Sequence, residues 1–167
     1  MTTTTPTAIS LLYLILSVLI VAALQVFAGY DFRSKRVPNR GLALFIPLVA
    51  AALPVKYLYE QQTSVLLFIG FCVAGTLAGG GILLAAALAS HGGIGGGDIK
   101  LCALIGLFYG PYEMLFILLL GTPAAFIYGL LVRRKTGNKA LHIAFVPFIA
   151  MGALLLTLFK MKGVLLS

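Results

Sequence analysis

Four carboxylates are all the acid that this chain of 167 residues carries: Asp31, Glu60, Asp98 and Glu113. In a sequence that is 61% hydrophobic, each is costly to keep ionised, which makes each a candidate for chemistry. Asp98 follows glycines at 92, 93, 95, 96 and 97 in "HGGIGGGDIKL", between two apolar runs, and Asp31 opens the polar stretch "DFRSKRVPNR". Two carboxyl groups brought together repel when both are charged, so one holds a proton while the other stays ionised. Aspartic proteases work from that state. The ionised member takes a proton from water as it attacks a peptide carbonyl, the protonated member donates to the developing oxyanion, and the pair later supplies a proton to the amine. Such a pair titrates as a unit.

Each aspartate has a plainer use when taken alone. Asp31 could pair with Arg33 or Lys35 at a lipid interface, and Asp98 could cap the helix that it opens, since its oxygen accepts a backbone N–H. The pair and the glycines together favour chemistry. Glycines at these positions permit backbone conformations closed to other residues and let another backbone approach closely, so an extended substrate segment could lie against the loop with a peptide bond at Asp98. A phosphate-binding loop is excluded: "GGIGGGDIK" lacks the GxGxxG register and the GK[ST] ending, and it follows a helix-like run. No nucleotide is expected. Cys72 and Cys102 lie in apolar stretches without CxxC spacing, and His91 and His142 are isolated, so no metal site is expected and the cysteines are read as packing residues.

The elements that must position these groups are helical. A mean hydropathy of +1.10 and 10% charged residues describe an integral membrane protein. Apolar runs cover about 8–28, 41–59, 64–90, 98–110, 112–132 and 140–159, which predicts an all-α polytopic bundle of about six transmembrane helices in a single domain, 1–167. The fourth run is marginal for a full span. "MTTTTPT" has no Lys or Arg, and the run after it exceeds the roughly 7 to 15 apolar residues of a signal-peptide core, so it reads as a first transmembrane helix.

Nine basic residues, Arg33, Lys35, Arg36, Arg40, Lys100, Arg133, Arg134, Lys135 and Lys139, follow helices 1, 3 and 5, against Lys56, Lys160 and Lys162 elsewhere. The loops after helices 1, 3 and 5 are therefore expected in the cytoplasm and both termini outside; Lys160 and Lys162 in the tail count against this orientation. Helix parity then puts Asp31 and Asp98 at one membrane surface and Glu60 and Glu113 at the other. The net charge of +8 falls in short clusters beside apolar runs, so anionic lipid, not nucleic acid, is the expected partner. Gly75 and Gly79, like Gly106 and Gly110, have the four-residue spacing that lets helices pack closely. Pro47, Pro54, Pro123 and Pro147 kink helices or mark their ends.

"GGGD" at Gly95 to Asp98, followed by "IKL", resembles the GxGD signature of membrane aspartic proteases. "D-x-R-x-x-x-V-P-N" at Asp31 to Asn39 resembles the first-aspartate loop of prepilin peptidases. The likeness in order, spacing and helix count extends over nearly the whole chain. It implies a six-helix protease of the inner (cytoplasmic) membrane that removes the basic leader of prepilin or pseudopilin precursors at the cytoplasmic face, just before the pilin's hydrophobic helix. Asp31 and Asp98 would be the catalytic dyad, and Gly95, Gly96 and Gly97 would shape the active-site loop. Arg36, Val37, Pro38 and Asn39 would support the first aspartate. Lys100 matches the pattern too, with no physical role beyond interfacial charge. No cofactor is implied, and pilus-assembly or secretion machinery is a further expected partner.

Longer bacterial members carry a cytoplasmic domain with paired cysteines and also methylate the new pilin N-terminus. This sequence resembles instead the short branch associated with Flp/Tad-type pili, for which cleavage without methylation is expected. Archaeal preflagellin peptidases are similar in plan. The presenilin and signal-peptide-peptidase group shares the GxGD aspartate and a first aspartate after Tyr, but has nine helices and a "PAL" motif where this chain offers "TPAAF". Two other classes remain as alternatives, a small proton-coupled transporter and a non-catalytic assembly subunit of a pilus or secretion machine. The first would need acids in mid-membrane and an internal repeat; the second would need no dyad.

Overall fold

The computed structural model describes residues 7–34, 37–89, 94–136 and 144–166. They form six helices: α1 (Thr7–Ser34), α2 (Asn39–Tyr59), α3 (Val65–Ala89), α4 (Gly96–Tyr109), α5 (Pro111–Thr136) and α6 (Val146–Leu166), with no strand among the described residues. The protein is an all-α membrane protein. Four helices are long and apolar enough to cross a bilayer, over Ala8–Ser34, Asn39–Tyr59, Val65–Ala89 and Pro111–Val132. Helix α4, at 14 residues, rises only about 21 Å and falls short of the ~30 Å hydrocarbon core.

Packing follows from which helix faces are buried. Helix α1 lies against α2 and α6, α6 against α5, and α5 against α3, while α4 sits between α2, α3 and α5. The short helix is thus the most enclosed: Leu101, Cys102, Ile105 and Phe108 are almost wholly buried. Cys72 and Cys102 are both free thiols in the interior. Outward faces carry leucines such as Leu44, Leu66 and Leu119, as a lipid-facing bundle requires, since lipid tails are as apolar as the side chains they meet.

The closest crossing is glycine on glycine. A Cβ at Gly75 would run into the Gly106 carbonyl, and one at Gly106 into the Gly75 carbonyl. One turn on, Gly79 meets the Cys102 carbonyl and Gly80 the Ala103 methyl. Residues Leu77–Gly81 form a widened π turn there, inside an otherwise continuous α3. The paired glycine spacing is therefore used for bundle packing between α3 and α4. Gly110 ends α4 with φ of 87° and accepts the Met114 amide as α5 begins, a left-handed position natural to glycine.

Several helix limits differ from the sequence expectation by more than fraying; α5 runs on to Thr136 instead of ending near 132, and α6 to Leu166 instead of near 159. Helix α1 runs on through Asp31 to Ser34 instead of ending near residue 28. No proline interrupts Tyr30–Ser34, and the Ser34 hydroxyl donates to the Tyr30 carbonyl at 2.9 Å, so polarity alone does not break the helix. The nearest breaker is Pro38, which caps α2 in an extended conformation and disfavours a helical Val37 before it. Helix α6 starts at Val146, with Pro147 in its first turn, where a missing N–H leaves no helix bond unmade. Residues 137–143, which include the expected start of this helix, lie outside the described set.

Candidate active site

Helix parity brings the C-terminal end of α1, the first turn of α2 and the N-termini of α4 and α6 to one end of the bundle. Asp31 sits in the last turn of α1, 2% exposed. Its Oδ2 accepts the Val146 backbone N–H at 3.1 Å, and the Phe145 amide also bonds the carboxylate. The buried charge is thus held by the first turn of a helix 115 residues away in sequence. These two backbone donors offset part of the cost of burying a charge at this position.

Asp98 occupies the first turn of α4, ahead of the helix's apolar stretch, which begins at Leu101. Gly95 is the residue before that helix, with φ of −68° and ψ of 137°. Its carbonyl accepts the amides of Asp98 at 3.1 Å and Ile99 at 3.3 Å. The Asp98 side chain folds back over it: a Cβ at Gly95 would stand 3.2 Å from Asp98 Oδ2. Burial first, and the nearby Asp31 charge second, push the Asp98 carboxyl up to about 6, against the pull of a Gly95 backbone hydrogen bond. The Asp31 charge therefore acts on Asp98, and the two carboxyl groups sit in unequal settings.

The two loops meet through Gly97. A Cβ there would lie 2.8 Å from the Val37 Cβ and 3.0 Å from its carbonyl oxygen. Close approach, rather than unusual backbone geometry, is what this glycine supplies. Gly110 is the positive-φ glycine of the described residues, so the expectation of special conformations is not met at Gly95 to Gly97, and Gly92 and Gly93 lie outside the described set. Gly96 has open space around it. Pro38 accepts the Leu42 amide and starts α2, and its ring touches the space above Gly41. Asn39 and Lys100 are exposed, while Arg36 and Lys35 lie outside the described residues, as do His91 and His142. Beside this end, Val26, Tyr30, Pro38 and Leu44 help to line an apolar groove of about 310 Å³ between α1 and α2.

The comparisons with known proteins decide the family. The model of the type IV leader peptidase family matches residues 13–130, a span that includes both aspartates. The chain belongs to that family. Among curated proteins, this family member is similar to the prepilin leader peptidase/N-methyltransferase of Bacillus subtilis (strain 168), with 34% identity over 150 residues. The match covers 86% of this chain and 55% of the relative, so the chain spans about half that protein's length. No solved structure gives a significant match.

The other two carboxylates occupy the opposite end. Lys56, fully buried on α2, donates to the Phe108 carbonyl and pairs with Glu60 one turn later at 3.6 Å. Lys160 on α6 pairs with Glu113 on α5. Tyr13 stacks on Tyr59 at 4.2 Å, and Tyr109 shares a 2.7 Å hydrogen bond with Thr157. These contacts tie α1, α2, α4, α5 and α6 together far from the aspartates. Sequence reasoning did not find the α6 amides beside Asp31, because a backbone donor leaves no residue signature; Pro147 was the available hint of a helix start.

Proposed function

We propose that this protein is a membrane aspartic endopeptidase that removes the leader peptide of type IV prepilin-like precursors, with Asp31 and Asp98 as its catalytic pair. The supporting observation is that both aspartates lie at one end of the bundle, Asp31 held by backbone amides and Asp98 with its proton affinity raised by burial and by the nearby Asp31 charge, in a chain of the leader peptidase family. One ionised and one protonated aspartate supply a base for water and an acid for the carbonyl oxygen. As water adds to the scissile carbonyl, its proton passes to the carboxylate and the partner's proton passes to the oxygen. When the C–N bond breaks, the amine takes the first proton and the second returns to its carboxyl group.

The site faces the cytoplasm in this reading, in an inner membrane. Described basic residues at the aspartate end include Arg33, Arg40, Lys100 and Arg134, whereas Lys56 and Lys160 at the other end are each neutralised by a glutamate. Unpaired excess positive charge belongs on the cytoplasmic side. Gly96 offers open backbone against which an extended substrate can lie, between Gly95 under Asp98 and Gly97 against Val37, with Pro38 and Asn39 across the loop contact and Lys100 at the surface. A prepilin, with its basic leader followed by an apolar helix, is the substrate class that fits a cut at this membrane edge.

The test is cleavage by the purified protein in detergent of a peptide with a basic leader and an apolar helix, read by mass spectrometry. One cut between leader and helix, lost in Asp31→Asn and in Asp98→Asn, is expected. Unchanged cleavage in either variant would refute the assignment.

A further inference from the structure

The two aspartates are not equivalent, and the difference lies in a segment outside both motifs. Asp31 is almost fully buried, yet its Oδ2 meets the Val146 amide at 3.1 Å and a second amide from Phe145. Both donors precede Pro147, at the start of a helix of 21 residues whose N-terminal end carries partial positive charge. Asp98 sits half-buried at its own helix's first turn, with its side chain turned back over Gly95, which gives it one backbone hydrogen bond.

We propose that the N-terminus of α6 is a third part of this site: the Phe145 and Val146 amides hold Asp31 as the member that keeps its negative charge, which leaves the shared proton on Asp98. Asp31 is then the base that takes the proton of water, and Asp98 the acid that protonates the carbonyl oxygen. The helix start acts as a positioning device, since it touches Asp31 and not the reacting atoms. It also makes the last helix, which carries neither motif, necessary for the polarity of the pair. The inference deepens the peptidase reading and rests on it for the catalytic roles.

Among the described residues, the charged and titratable neighbours are few. Each aspartate faces the other, and the Cys102 thiol lies one turn beyond Asp98 on α4. Arg33 on α1, Arg40 on α2, Lys100 on α4 and Arg134 on α5 are exposed. The first turn of α6, from Val146 to Ile149, contains no ionisable side chain. The proposed asymmetry rests on two backbone donors at Asp31 against one at Asp98, which hydrogen-bond the charged form directly.

Asp31 and Asp98 are the only two aspartates in the chain, so labelling with carboxyl-13C aspartate gives two NMR signals, assigned through Asp31→Asn and Asp98→Asn. In the intact protein in detergent, the Asp98 signal should move first as pH falls, centred near 6, with the Asp31 signal following at lower pH. Val146→Pro and Phe145→Pro, each removing one donor, should narrow that gap and change the pH profile of cleavage. Asp31 titrating first or together with Asp98 in the wild type would overturn the proposal, as would an unchanged gap in a folded proline variant. If neither proline variant folds, the wild-type order alone decides. The titration needs no substrate: the expected order without any cleavage would sink the peptidase reading and keep the electrostatic asymmetry, and cleavage with the opposite order would do the reverse.

Discussion

At the residue scale, the proposed mechanism makes Asp98 set the pH behaviour. Its carboxyl sits at about 6, raised by burial and then by Asp31, and the acid role requires the protonated form. A raised value means the proton is held below pH 6 and lost above it. Cleavage at saturating substrate should therefore fall as pH rises through this range, and Asp98→Glu should shift the descending limb if it retains activity. A rate flat from pH 5 to pH 8 would contradict a free acid with this affinity. The motifs themselves were legible at this scale because the chain has only two aspartates, each set in a distinctive context, five glycines before Asp98 and a Val-Pro-Asn run after Asp31. The Phe145 and Val146 amides were not, since any residue but proline could supply them.

At the element scale, the α3–α4 crossing fixes where Asp98 stands, because α4 is short and has little lipid-facing surface of its own. Gly106→Ala would push a methyl into the Gly75 carbonyl, and overpacking of this kind costs about 1–3 kcal/mol. Gly29→Ala enters open space within α1 and should be neutral or stabilising by about 0.5–1 kcal/mol, as expected for a helix interior. Thermal midpoints in one detergent, compared across the two variants, check both signs. Six apolar runs separated by breakers were enough to find the helices. Their ends were harder: α1 continues four residues beyond Tyr30 because Asp31 finds its partners in α6, a tertiary contact that overrides local polarity. The small-residue spacing announced a close crossing without saying that Gly75 would meet Gly106.

At the scale of the whole molecule, the bundle has two differently built ends. One gathers the aspartates and exposed basic residues; the other gathers both glutamates, each bound to a lysine. Lys56→Met would leave the buried Phe108 carbonyl and Glu60 without their ammonium, at a cost of about 1–3 kcal/mol, read as a lowered thermal midpoint. The proposed orientation makes a separate prediction. In right-side-out membrane vesicles, an impermeant maleimide should label Gln62→Cys in the α2–α3 turn and spare Lys100→Cys, with the pattern reversed in inverted vesicles. The native thiols are buried and give little background. Helix parity made the two-ended arrangement readable from the order of the acids along the chain, whereas the lysine–glutamate pairing required the packed structure.

The most direct test of the paired aspartates is a double-mutant cycle on single-turnover leader cleavage, with Asp31→Asn, Asp98→Asn and the double variant at equal, folded concentrations. Groups that act as one unit are lost together. Each single substitution should therefore slow cleavage by at least about 10²–10⁴-fold, and the double variant should be no slower than the worse single. Losses that multiply, or one single variant that keeps most of its rate, would show that the two carboxylates do not form one catalytic pair.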